Sequence, residues 1–256
     1  MALNPRIPSW QGQRVWVIGA SYGIGAALAR RLINDGARVA MSARSRDLLD
    51  AIAEGNDALV EVLDVTDTAS VAKAARRILT AWGGVDLVLI VAGTHVEMRA
   101  DTFDLARAKR LFDVNVIGVL NCLDAVLPTL RNQRRGGVAI VSSVAGYRGL
   151  PRALIYGPTK AALINLAESL YLDLEPQGVG VYLVNPGFVD TPLTQKNEFK
   201  MPALIPAEKA AELTLDGIAA GEFEIHFPRR FTNLMRLLRT LPYPAYFAAV
   251  RRFTNP

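Results

Sequence analysis

The run Leu87-Val88-Leu89-Ile90-Val91 is apolar at every position. A strand with no polar alternation cannot show either face to water, so it belongs at the centre of a parallel sheet covered by helices on both sides. The sequence around it has the matching rhythm. Arg14 to Ile18 reads as a strand, a glycine turn follows, and an apolar-periodic segment from about Ile24 to Asp35 reads as a helix that Gly36 ends. Arg38 to Ser42 is the next strand, which completes a βαβ unit. Further strands are expected at Leu59–Leu63, Val138–Val141, Val179–Val184 and Glu222–Phe227. Helices are expected at Thr68–Trp82, about Asp104–Leu127, Tyr156 to about Glu175, and Ala207–Ala219. Unbroken alternation predicts one α/β domain, a doubly wound parallel sheet of about seven strands, over residues 1–228, with a separate extension at 229–256.

Of the 256 residues, 51% are hydrophobic and 21% charged, enough for a full core and against wholesale disorder. The segment from Phe227 to Pro256 holds six arginines and no acid, so of the formal charge of +5 the rest of the chain carries −1. The body is therefore not a basic, nucleic-acid-binding surface. No apolar signal-peptide core follows Met1, and no stretch reads as the ~20 apolar residues of a bilayer span. Cys122 stands alone, which excludes an internal disulfide and fits a reducing, cytoplasmic setting; its neighbours make it core packing.

Two stretches carry chemistry. Gly19-Ala20-Ser21-Tyr22-Gly23-Ile24-Gly25 lies between a strand and a helix, where glycines allow close approach and free N–H groups accept a pyrophosphate; its plainer reading is a tight turn. Tyr156-Gly157-Pro158-Thr159-Lys160 places a phenol and an ammonium four residues apart. With Pro158 in the first turn of a helix, both lie on one face. An ammonium there favours the phenolate, which predicts a lowered Tyr156 pKa. The same pair also occurs on ordinary amphipathic helices. Ser143 ends the strand before it.

Together these stretches resemble the short-chain dehydrogenase/reductase family over about Arg14 to Thr191, with its Rossmann-type fold. The glycine motif falls on Gly19, Gly23 and Gly25, and the strand-four motif on Ala92-Gly93. The catalytic tetrad falls on Asn115, Ser143, Tyr156 and Lys160, and the post-strand-six motif on Asn185-Pro186-Gly187-Phe188-Val189-Asp190-Thr191. The resemblance implies Tyr156 as general acid or base and Lys160 as its modulator and a ribose ligand. It implies Ser143 as the group polarising the substrate oxygen, and Asn115 as the holder of a water. It also implies a cofactor cleft made by Gly19, Ser21, Tyr22, Gly23, Ile24, Gly25, Asp64, Val65, Ala92, Gly93, Tyr156, Lys160, Pro186, Gly187, Val189 and Thr191, and a homodimer or homotetramer meeting at the Asn115 and Tyr156 helices. The alternative for Asn115 is a backbone-bonding role, and for Asp64 a helix cap. Where NAD sites of this architecture carry an acid, Ala43 and Arg44 stand, so NADP(H) is expected, with Arg44 on the 2′-phosphate; solvation of a loop by Arg44 and Arg46 is the alternative. Three places depart from the family. Ile18 replaces a Thr, Ile90-Val91 replaces Asn-Asn, and Gly157-Pro158-Thr159 fills the Tyr-Lys interval. The first two changes are expected to be a paired apolar replacement.

The expected activity is hydride exchange between a ketone or aldehyde and an alcohol. The substrate is expected to be apolar, because segment 188–206 brings Phe188, Leu193, Met201, Leu204 and Ile205 to the site as a lid. His95 and His226 are isolated, so no metal site is expected. Phe231, Leu234, Met235, Leu238 and Leu241 recur at helical spacing opposite Arg236 and Arg239. This amphipathic tail either lies on an anionic membrane surface or packs on the body or a second subunit. The competing functional reading is a non-catalytic nucleotide-binding protein acting at a membrane or protein surface through that tail.

Overall fold

A computed structural model of the chain describes residues 2–195 and 201–254. In chain order the elements are β1 (Arg14–Ile18), α1 (Gly23–Asn34), β2 (Arg38–Ala43), α2 (Arg46–Ala53), β3 (Leu59–Val62), α3 (Thr68–Trp82) and β4 (Leu87–Ile90). There follow α4 (Leu105–Phe112), a π-helical turn (Asp113–Ile117), α5 (Gly118–Gln133), β5 (Gly137–Val141), α6 (Tyr156–Leu174), β6 (Gly180–Pro186), β7 (Val189–Asp190), β8 (Ile205–Pro206), α7 (Ala207–Ala219), β9 (Glu224–Phe227), α8 (Arg229–Arg239) and α9 (Tyr243–Thr254). Seven strands form one parallel sheet in the order β3-β2-β1-β4-β5-β6-β9, the fold class that the alternation predicts. The order reverses between β1 and β4, so a crevice opens beyond their carboxyl ends.

Alternate side chains of each strand feed two cores. Trp16, Ile18, Val88 and Ile90 face α3, α5 and α6 in one buried cluster. Val15, Val17, Leu87 and Leu89 face α1, α2 and α7 in the other. The paired replacement at Ile18 and Ile90 packs as expected: the two residues are register partners, at 0% and 1% exposure. The backbone N–H groups of Val91 and Ala92 both donate to the Ile18 carbonyl, at 2.8 and 2.9 Å, and tie β1 to β4 without side-chain polarity.

Four features differ from the sequence reading. Helix α2 was absent from it; the helix is only two turns long and buries Leu49 and Ile52, a pattern too short to show a period. The helix expected from Asp104 continues to Gln133 and contains the π turn, in which the Gly118 N–H reaches Asp113 O. By length and composition, Leu105–Gln133 could span a bilayer, contrary to expectation. In the protein its stripe Leu111, Val119, Cys122, Val126 and Leu130 is buried in the core. Finally, Asn4 in the N-terminal segment is 6% exposed and bonds both backbone groups of Val181, which no local pattern announces.

The tail packs on the body. Met235 joins the core, Thr232 and Tyr246 are buried, and Phe231 lies 5.4 Å from Phe188 between ring centroids.

Candidate active site

The glycine turn forms because larger residues cannot fit it. A Cβ on Gly19 would stand 2.5 Å from Ala92 N, and one on Gly25 2.0 Å from Gly19 O. Gly19 and Gly23 also hold φ of +95° and +58°, where side chains are strained. Tyr22 at the N-cap of α1 contributes no side-chain bond, so the first N–H groups of the helix face the cleft uncapped. The cleft, of about 390 Å³, is lined by Gly19, Ser21, Tyr22, Gly23, Ile24 and Gly25 on this side, and by Ala92, Gly93, Ser143, Tyr156 and Lys160 at its floor. Pro186, Gly187, Val189 and Thr191 close the far wall. Uncapped donors behind a glycine cradle suit a pyrophosphate, so the residues present fit a dinucleotide.

At the adenine end, Ala43, Arg44, Asp64 and Val65 line the cleft together with Arg110, which sequence reasoning passed over. Arg44 is exposed and makes no ion pair among the described residues, whereas Arg46 opens α2 and pairs with Asp50 at 3.1 Å. Asp64 does not cap the following helix. Asp67 does, accepting from Ala69 N and Ser70 N. Asp64 accepts from Thr66 instead, and that backbone bond is the main cause that holds its carboxyl below the usual range.

At the other end, the 3₁₀ turn Val144–Gly146 lies hard against α6. A Cβ on Gly146 would come 2.6 Å from the Lys160 carbonyl carbon, and Ser142 Oγ bonds Lys160 O at 2.7 Å. This contact sets Ser143, whose Oγ accepts from Ala145 N at 3.1 Å at the start of the turn, beside Tyr156 on the cleft floor. Pro158 falls in the first turn of α6, where no N–H is needed. Lys160 Nζ donates to Val141 O at 3.0 Å and lies 5.7 Å from the Tyr156 ring centroid.

The expected lowering of the Tyr156 pKa is not what this site does. Burial pushes the phenol up to about 12, against a smaller lowering influence of Ser143. Burial also drives Lys160 down to about 8, so the ammonium is itself disfavoured and turned to a carbonyl. This has a consequence for stability. Between pH about 8 and about 10.5 the unfolded chain holds a proton at Lys160 that the native chain has lost. Stability attributable to this residue therefore rises with pH across that window. Denaturant midpoints of cofactor-free protein at pH 7 and pH 9 will show this as a gain in the stability of wild type relative to Lys160→Met at the higher pH.

Asn115 sits in the π turn, fully buried. Its Oδ1 accepts from Thr94 N at 2.7 Å, and its Nδ2 donates to Thr94 O and to Thr159 Oγ1, at 2.9 and 3.1 Å. All three bonds are to protein, and they pin the segment after Gly93 to α6. His95, set aside as isolated in the sequence, stands edge-on to Tyr156 with ring centroids 4.7 Å apart. Burial holds it below the ordinary histidine range, so it is neutral at pH 7. Only its place two residues after the strand-four glycine pointed towards the site. Among the described residues no cluster of three His, Cys, Asp or Glu is placed to hold a metal ion. Of the expected lid segment, Leu193 lines the cleft and Ile205 packs on the core, while 196–200 lies outside the described residues.

A strand-order reversal over a glycine cradle, with Ser, Tyr and Lys on its floor, defines a dinucleotide-dependent oxidoreductase class. The chain belongs to the short chain dehydrogenase family, whose sequence pattern matches residues 13–201. It is 38% identical over 241 residues to an uncharacterized oxidoreductase of Myxococcus xanthus, covering 92% of this chain and 95% of that protein. Another such oxidoreductase, from Staphylococcus epidermidis, is 32% identical over 198 residues, covering 77% of this chain and 86% of its own. Among solved structures, a short chain dehydrogenase from Burkholderia cenocepacia in complex with NADP superposes with a TM-score of 0.84 at 26% identity, covering 94% of this chain and 98% of that one. An alcohol dehydrogenase from Thermococcus sibiricus complexed with 5-hydroxy-NADP gives 0.77 at 27% identity, covering 85% and 96%.

Proposed function

We propose that this oxidoreductase is NADP(H)-dependent and reduces an apolar ketone or aldehyde to its alcohol, or runs the reverse reaction, with Tyr156 as the proton donor or acceptor. The observation that carries the reading is the meeting of Ser143, Tyr156 and Lys160 at the floor of a cleft that the glycine turn lines. Bound there, a nicotinamide cofactor supplies or accepts a hydride. The chain's own residues do the rest. Ser143 and Tyr156 hold the substrate oxygen, and Tyr156 gives it a proton. With its pKa raised, Tyr156 is a neutral phenol at pH 7, the form that carbonyl reduction requires. Lys160, one turn along, would hold the ribose hydroxyls, and the bonds of Asn115 to Thr94 and Thr159, which tie the segment after Gly93 to α6, support that reading.

Arg44 supports the choice of NADP(H). It is a cleft-lining guanidinium with no ion-pair partner among the described residues, at the place where an acid would accept a ribose hydroxyl. Arg44→Ala should weaken NADPH binding by about 10–100-fold, the worth of a charge-assisted pair of bonds, and leave NADH binding unchanged. Equal affinities of wild type and variant for NADPH in a fluorescence titration would reject the assignment.

We also propose a homodimer or homotetramer meeting along the helix that contains Asn115 and along α6. Phe112, Ile117 and Leu120 on the first and Leu172 on the second are exposed apolar side chains, Leu172 at 73%.

A further inference from the structure

Helices α8 and α9 dock on the body and yet keep a second apolar set in water. Docking uses Thr232 and Met235 of α8 and Tyr246 and Val250 of α9, all buried. Arg148, from the loop after Ser143, fastens both helices. It donates to the carbonyls of Leu238, Arg239 and Leu241, and its guanidinium lies 4.7 Å from the Tyr243 ring centroid and 4.1 Å from that of Tyr246. Arg236 is likewise consumed, by Glu224 and His226, and Arg229 by Glu222. The tail is thus a fixed helical pair and not a loose amphipathic strand of chain.

What remains outside is patterned. Leu234 and Leu237 are 45% and 62% exposed on one side of α8, with Arg230 one turn before them. Tyr243 and Phe247 are 68% and 48% exposed on one side of α9, their rings stacked at 5.8 Å, with Arg251 one turn after them. Each helix therefore carries an apolar pair continued by an arginine. Arg230, Arg251 and Arg252 are exposed and make no ion pair among the described residues, and no acid lies anywhere from Phe227 to Pro256.

We propose that these exposed sides of α8 and α9 together form a face that docks on an anionic lipid bilayer, with Leu234, Leu237, Tyr243 and Phe247 in the interfacial layer and Arg230, Arg251 and Arg252 on the lipid phosphates. Charge decides the occupant. Two copies of the chain meeting through this face would bring arginines together with no acid of the tail to offset them, whereas a bilayer rich in anionic headgroups matches both the apolar and the cationic parts. Single weak signals do not hold a protein to a membrane; insertion plus a basic cluster does. The face also lies by the site. Phe231 of α8 packs on Phe188, Gly187 N–H donates to Phe227 O at 2.7 Å, and Arg148 and Gly149 follow Ser143 in the chain.

The test is co-sedimentation of the whole protein with phosphatidylcholine vesicles containing or lacking phosphatidylglycerol, at low and high salt, with no cofactor or carbonyl added. Binding to the anionic vesicles alone is expected, weakened by at least about tenfold in high salt and by a similar factor in Arg251→Glu/Arg252→Glu. Leu237→Glu/Phe247→Glu should also lose binding, with an unchanged thermal midpoint and unchanged mass by light scattering. Equal binding to both vesicle types, no binding, or binding that survives both double variants would overturn the proposal. A fall in mass for Leu237→Glu/Phe247→Glu without vesicle binding by wild type would also overturn it and show that a second copy covers the face. Because no turnover is read, failure here leaves the proposed oxidoreductase activity untouched.

Discussion

Tyr156→Phe is expected to cut carbonyl reduction by about 10²–10⁴-fold, the usual worth of a positioned proton donor, while NADPH affinity is unchanged. The substitution removes one oxygen from a side chain that opens α6 and stands edge-on to His95, so shape and packing survive. What goes is the hydroxyl that desolvation keeps protonated, beside Ser143 on the cleft floor. The loss should fall on kcat and on kcat/KM alike, the mark of an interaction that matters only in the transition state. Steady-state NADPH oxidation with a reducible apolar ketone, together with a binding titration, separates the two parts. A variant with full turnover would place the proton donor elsewhere.

Gly25→Ala should damage cofactor binding as severely as Tyr156→Phe damages chemistry. The added Cβ would stand 2.0 Å from Gly19 O and 2.9 Å from Gly19 C, both backbone atoms with no side chain to swing aside. Helix α1 must move off β1, and the uncapped N–H groups that face the cleft move with it. The expected cost is about 1–3 kcal/mol of stability from overpacking and about 10²-fold in NADPH affinity from misplaced donors. Thermal melting with and without NADPH measures both. Gly149→Ala is the control, since a Cβ there meets nothing within 4 Å and should leave NADPH affinity as it was.

The residues that were legible in sequence are those whose role is local. Leu87 to Val91 announces a strand buried on two faces, and the glycine turn announces a place where side chains do not fit. Tyr156 and Lys160 lie on one helical face because of their spacing alone. The paired change at Ile18 and Ile90 was legible because loss of one polar partner predicts loss of the other. What stayed hidden depends on atoms distant in the chain. Asn4 bonds Val181 across 177 residues, and Arg148 reaches the end of α8 across 90 to 93. The π turn around Asn115 has no local signature, and its side chain is committed to Thr94, twenty-one residues earlier. The Tyr156 pKa went the other way for a related reason. Spacing reveals the neighbouring Lys160, but only the packed structure shows that both groups are desolvated and that Lys160 Nζ is turned to Val141 O. The tail's two alternatives were docking and membrane contact. The structure shows that docking uses one face of each helix and leaves another exposed.

The claim at the centre of this account is hydride transfer from NADPH to a carbonyl carbon in the cleft over Tyr156. The most direct measurement uses NADPH carrying deuterium at the transferable position of its nicotinamide, with a panel of apolar ketones and aldehydes, and reads the alcohol by mass spectrometry. The account predicts an alcohol with one deuterium on its carbinol carbon, formed by wild type and lost in Tyr156→Phe. Tight NADPH binding with no labelled alcohol from any member of the panel, or label that persists undiminished in Tyr156→Phe, would contradict it.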